Sequence, residues 1–194
     1  MLTCIIDDVM SWQPCYDRER VVELFAGRER LTALDILDLD IPCVDRFWAV
    51  LRGELIAAPV LHEFACWCAE QALALVSNPD PRSVAAIAAK RAWVRGEIDD
   101  VALAASLAAS LAASRAAWDA SDASDAASDA AWAAARAAAR AAAWAASSAG
   151  SDASAAASAA SSAAARAASS DSWAFASAAS RAEQVEYLRK AVTA

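Results

Sequence analysis

The chain has 194 residues, enough for one domain or one domain with an extension. Its hydrophobic share of 59% is inflated by alanine, and Asp, Arg and Ser interrupt the apolar runs, so no stretch reads as membrane-spanning. The formal net charge is −8, of which residues 1–100 carry −7 from 17 acidic and 10 basic side chains; this disfavours direct nucleic-acid binding, which needs basic stripes, and suits a basic protein partner.

Residues 1–14 are poorly patterned. Trp12-Gln-Pro-Cys15 reads as a turn that feeds a helix over Tyr16–Phe25, with Asp17 in its first turn and Gly27 ending it. Thr32 is placed to cap a short helix through Ile36 and Leu37. Asp35, Asp38, Asp40 and Asp45 follow as an acidic cluster interrupted by Pro42. Pro42 suits the first turn of the next helix, Val44–Leu51, because its missing N–H costs nothing there. Phe47, Trp48, Val50 and Leu51 give that helix a wide apolar face.

Pro59 opens another helix through Val76, with Val60, Leu61, Phe64, Ala65, Cys68, Ala72, Leu75 and Val76 at the helical period. His62 is the chain's one histidine. With Glu63 beside it, it reads as a surface or capping pair rather than a catalytic dyad. Ser77-Asn-Pro-Asp-Pro81 stops the helix, and Asp80 caps the next one, Arg82–Arg95, with Pro81 in its first position. Gly96 terminates it. No alternation of period two bounded by hairpin turns is visible, so no sheet is expected. The cysteines, Cys4, Cys15, Cys43, Cys66 and Cys68, are odd in number and follow no secretory signal, so free thiols and a cytoplasmic location are expected. Cys66-Trp-Cys68 lacks the spacing of a zinc or redox motif, and no metal or cofactor is expected.

From Asp99 or Asp100 a cap leads into an alanine tract. Of residues 101–170, 53 are Ala or Ser. Alanine is the best helix former because it loses no side-chain entropy and buries no polar group. Leu103, Leu107 and Leu111 recur every four residues. A helix–helix turn is expected near Asp119–Ser124, with Asp122, Asp125 and Asp129 at the positive end of the following helix. Trp132, Arg136, Arg140 and Trp144 are again spaced by four, which sets two guanidinium groups between two indoles along one stripe. Gly150 reads as a C-terminal cap. The closing run from Asp171 to Lys190 regains large apolar residues and ends basic. Disordered tracts lack aromatics, whereas this one holds Trp118, Trp132, Trp144, Trp173 and Phe175, so a packed helical layer is expected. The prediction is an all-α, multi-helix bundle: a compact helical part over residues 1–98, then a layer of antiparallel alanine/serine-rich helices over 99–194, together one structural unit.

Several segments together resemble the alanine-rich immunity proteins of bacterial toxin–immunity systems and phage genomes, the immunity-five-like class. They are Asp45-Arg-Phe-Trp48 with Leu51-Arg52, Leu61-His-Glu-Phe-Ala65 with Cys68-Ala-Glu70, Asp80-Pro-Arg-Ser83, Ala92-Trp-Val-Arg-Gly-Glu97, the Ala/Trp/Arg tract, and Glu183-Gln-Val-Glu-Tyr-Leu188. The resemblance covers about residues 30–194. It implies an all-α fold and a protein that neutralises another protein by binding it, with no catalytic residue.

The expected function is therefore non-enzymatic, stoichiometric inhibition through an acidic surface, either Asp35, Asp38, Asp40 and Asp45 or Asp119, Asp122, Asp125 and Asp129. The partner is expected to be a basic protein, a toxin or a nucleic-acid-handling defence complex, with self-association left open. One alternative is sequestration of a nucleotide by Trp132, Arg136, Arg140 and Trp144. Another is a passive structural role, ice-binding included, for which the serine spacing is too irregular. An enzyme is disfavoured by the single histidine and the lack of a nucleophile motif or phosphate loop.

Overall fold

The computed structural model describes residues 2–75, 79–120 and 173–193. Among these the chain forms eight helices and one two-stranded ribbon. The all-α expectation holds.

The first surprise is local. Thr3–Cys4 (β1) pairs antiparallel with Leu31–Thr32 (β2), Thr3 opposite Thr32 and Cys4 opposite Leu31. The expectation of no sheet is corrected. Strands of two residues are too short to show alternation, but Cys4 and Leu31 are both buried and weld the N-terminus to the start of the third helix. Between them, Ile6–Ser11 (α1) also went unread; the Asp8 carboxylate accepts the Ile5 N–H at 2.8 Å and supplies its start.

Arg18–Phe25 (α2) begins on Asp17, which is the N-cap and accepts from the Arg20 N–H at 2.8 Å. The helix ends at Phe25 as expected, with Ala26 as its cap and Ala26 and Gly27 both left-handed at φ 50° and 78°. Ala33–Leu37 (α3) starts as expected on Thr32, which exchanges hydrogen bonds with Asp35. Its last carbonyl, on Leu37, accepts from both Arg46 and Arg189, cations at a negative helix end. Pro42 precedes Cys43–Val50 (α4) as its cap residue.

Ala58–Ala74 (α5) is the central element. The expected single apolar face is too narrow: His62, Cys66, Ala69 and Leu73 are buried as well, while Leu75 is exposed. A helix buried on most sides belongs to the core. The burial of Cys66 pushes its thiol up to about 12, and Cys68 is raised well above the ordinary thiol range for the same reason, so both stay protonated and unreactive. All five cysteines are free.

Pro81–Val94 (α6) is capped by Asp80, as the sequence suggests, with the carboxylate accepting from the Arg82 N–H at 2.9 Å. Replacing Asp80 with Ala is expected to cost about 1 kcal/mol, read as a lower urea midpoint at unchanged slope. Asp100–Ala120 (α7) packs most extensively against α6, and α6 in turn against α5. Trp93 donates from Nε1 to Asp100 across the turn at 2.8 Å, and Asp99 caps α7 through the Ala102 N–H. Along α7, Leu103 is buried but Leu111 is exposed, so the leucine row leaves the packing surface as it ascends.

Trp173–Thr193 (α8) returns to the N-terminal part and packs on α3 and α5. Leu188 is fully buried there, and Tyr187 stacks on Trp67 with ring centroids 4.5 Å apart. Arg189 also pairs with the Asp38 carboxylate. Contacts of α7 with α6 and of α8 with α3 and α5 thus cross residue 98, the expected boundary between the two parts. The expected turn over Asp119–Ser124 starts within α7, which continues to Ala120; its remainder and the Gly150 cap lie outside the described residues.

Candidate functional site

A mainly apolar concavity sits where α1, α2, α3 and α4 meet. It is a cleft of about 330 Å³. Phe25, Leu31 and Ile36, all buried, form its floor, with Val9 and Val21 beside them. The rim is more open: Gln13, Cys15 and Tyr16 come from the α1–α2 loop, and Val44, Asp45 and Trp48 from one side of α4. Gln13 holds a left-handed φ of 58°, a conformation costly for a residue with a side chain. That strain sits on the cleft wall.

Two devices fix the rim. Tyr16 donates its phenolic hydrogen to Asp45 at 2.5 Å, tying the loop to α4. The same bond pushes the Tyr16 phenol up to about 12, so it remains a donor at neutral pH. Behind the rim, the Arg52 guanidinium lies 4.5 Å from the ring centroids of both Trp12 and Trp48, whose indoles meet edge-on at 6.5 Å and 71°. Burial lowers the Arg52 pKa from its ordinary value. Its Nε has no hydrogen-bond partner among the described residues, so the two π faces are what hold it.

A second polar cluster lies between α5 and α6. Arg91 forks onto Glu63, at 2.6 Å, and onto Glu70. Both carboxylates raise the Arg91 pKa. Beneath this staple, His62 is buried, not a surface or capping residue as the sequence suggested. Its ring and that of Trp93 are T-shaped to each other, centroids 5.5 Å apart at 85°, and the fully buried Lys90 places its ammonium 4.2 Å from the centroid of the same indole. His62 Nδ1 has no hydrogen-bond partner among the described residues. Glu63 points to Arg91 instead, so the His–Glu pair is divided between core and staple.

The chain matches no family model, no curated protein and no solved structure in these comparisons. The site is therefore read from its own geometry. Of the first acidic cluster, Asp35 caps α3 and pairs with Arg28 at 3.0 Å, Asp38 pairs with Arg189, and Asp45 binds Tyr16. Thr32 and then Arg28 hold the Asp35 carboxyl below the usual carboxylate range. Asp40 is exposed and makes no ion pair among the described residues. Three of the four carboxylates thus have structural partners; Asp40 precedes the cleft-bearing helix and Asp45 stands in its first turn.

Asp119 falls in the last turn of α7. Asp122, Asp125 and Asp129, and the stripe Trp132, Arg136, Arg140 and Trp144, lie outside the described residues. Among the described residues there is no metal-binding cluster and no helix long and apolar enough to cross a membrane. What sequence reasoning missed is the cleft itself. Its signal was present: Val44 and Trp48 lie four apart on a short helix whose opposite side already carries Phe47 and Val50 for the core.

Proposed function

We propose that this protein is a non-enzymatic inhibitor that binds a basic partner protein stoichiometrically through the acidic, apolar face around α4. It would act as an immunity protein or as an antagonist of a defence complex. The observation that carries this reading is a mixed patch. Val44 and Trp48 are 53% and 37% exposed on α4, beside Asp45 and just after the exposed Asp40. Exposed tryptophan ringed by polar groups is typical of binding hot spots, and unpaired carboxylates steer a basic partner. The overall charge of −8, concentrated in the first hundred residues, adds a long-range field of the same sign.

The test is affinity capture of the tagged protein from host lysate with washes at about 50 mM and about 500 mM salt. A single basic protein in stoichiometric amount is expected, retained at low salt and weakened at high salt. With that partner purified, Trp48→Ala is expected to raise Kd at least ~10-fold through faster dissociation, and Asp40→Asn to slow association with a flatter salt dependence. Full affinity in both variants would move the binding face elsewhere.

A further inference from the structure

Beyond protein binding, the cleft has the make-up of a small-molecule site. Its volume of about 330 Å³ lies at the lower end of the range for ligand pockets. At ~30 Å³ per water molecule in the liquid, it accommodates a body of about ten non-hydrogen atoms. The lining is aliphatic and aromatic, and its polar side-chain groups are few: the Gln13 amide, the Cys15 thiol, the Tyr16 hydroxyl and the Asp45 carboxylate. Asp45 is the only charged residue in the wall.

That carboxylate is half-buried and makes no ion pair among the described residues. Three nearby cations are engaged elsewhere. Arg46, next in sequence, donates to the Leu37 carbonyl; Arg20 pairs with Glu23; Arg52 lies against the rings of Trp12 and Trp48. Tyr16 satisfies one oxygen of Asp45 and leaves the other free to accept. A negative charge set in an apolar wall beside the rings of Tyr16 and Trp48 selects for positive charge, through a charge-assisted hydrogen bond and the electron-rich ring faces. An anion would meet the Asp45 charge directly, and a neutral ligand would leave it uncompensated.

We infer that the cleft binds a small organic cation, an apolar body of about ten non-hydrogen atoms carrying one ammonium group, with the body on the Phe25–Leu31–Ile36 floor and the ammonium on Asp45. The ligand class is thus opposite in charge to a nucleotide. Tyr16 acts as a positioning residue that holds the carboxylate toward the cleft.

The experiment uses the isolated full chain, with no protein partner present, so its outcome is independent of the inhibitor reading. Three probes of nearly equal shape are titrated and followed by backbone amide shifts: 2-phenylethylammonium, 2-phenylethanol and 3-phenylpropionate. The ammonium probe is expected to saturate, moving resonances in Gln13–Tyr16 and Val44–Ala49. It should bind at least ~10-fold tighter than the alcohol, with no detectable binding of the carboxylate. In Asp45→Asn, which keeps an acceptor for Tyr16, the preference for ammonium over alcohol should vanish while the alcohol's affinity is unchanged. Equal binding of ammonium and alcohol to the native chain would overturn the assignment of a cation site. Failure of all three to bind would overturn the ligand site altogether.

Discussion

Phe64→Ala is expected to cost about 3–5 kcal/mol, the largest single-residue loss predicted for this chain. Phe64 is completely buried, and its ring lies 6.3 Å from Phe47 on α4, 6.3 Å from Trp67 on its own helix and 5.9 Å from Tyr187 on α8. Truncation therefore removes a shared contact of three helices at once. The walls cannot collapse independently, because Trp67 and Tyr187 already stack on each other. A domain of this size commonly has about 5–15 kcal/mol of stability, so the variant would fall near the margin of folding. Urea unfolding followed by circular dichroism should show a strongly lowered midpoint, and the near-ultraviolet signal of the aromatic cluster should weaken in the folded variant. Val22→Ala, on an exposed position of α2, is the control and should stay within about 0.5 kcal/mol. A loss below about 1 kcal/mol for Phe64→Ala would mean that α8 is not seated on this ring.

The reason such a residue matters lies in how the chain closes. Most helix neighbours in the described structure are also neighbours in sequence, α1 with α2, α3 with α4, α5 with α6 and α6 with α7. The α8 contacts are the exception. They join Leu37 and Asp38 to Arg189, about 150 positions away, and Trp67 to Tyr187. This long-range seam encloses the N-terminal core, and the aromatic cluster is its centre.

Much of this was legible residue by residue, where the signal is local chemistry. Thr32, Asp80 and Pro81 announce helix starts because their side chains or missing N–H suit unpaired backbone groups, and the helices begin there. The ribbon and α1 were not legible: a two-residue strand carries no period, and a six-residue helix is shorter than two turns. The breadth of burial on α5 was underestimated because His62 and Cys66 look optional by residue type. Only neighbours on other helices decide that they are enclosed.

The candidate site followed the same rule. The acidic cluster was visible as composition, but which carboxylates remain available is set by the fold: Arg28, seven residues away, engages Asp35, while Tyr16 and Arg189 come from distant positions to engage Asp45 and Asp38. Likewise nothing local to α6 marks Arg91, and only packing reveals Glu63 and Glu70 as its partners. The cleft depends on the loop Trp12–Asp17 meeting α4, a juxtaposition with no sequence period behind it.

Acid should destabilise this protein through its single histidine, in a pH window separate from that of its carboxylates. Burial lowers the His62 pKa from 6.5 to about 4, and the nearby Lys90 charge adds to the effect. The sign follows from linkage. The unfolded chain takes up a proton near pH 6.5, whereas the folded chain resists until about pH 4. Stability is therefore full above the unfolded value and falls as pH drops from about 6.5 to about 4, by up to about 3 kcal/mol, and then levels off for this group. The groups around it account for the direction: Trp93 packs against the ring, Lys90 on α6 repels a second positive charge, and Glu63 is held by Arg91. Asp35 and Asp80, with depressed pKa values, contribute stability that is lost only as pH falls below the ordinary carboxylate range. Urea midpoints measured at steps from pH 7.5 to 4.5 should hold level down to about pH 6.5 and then decline in the native chain. His62→Leu removes the titrating ring while filling the same apolar space, and its profile over this window should be nearly flat. An equal decline in both would assign the acid sensitivity to other groups and leave the buried imidazole without the role that its enclosure predicts.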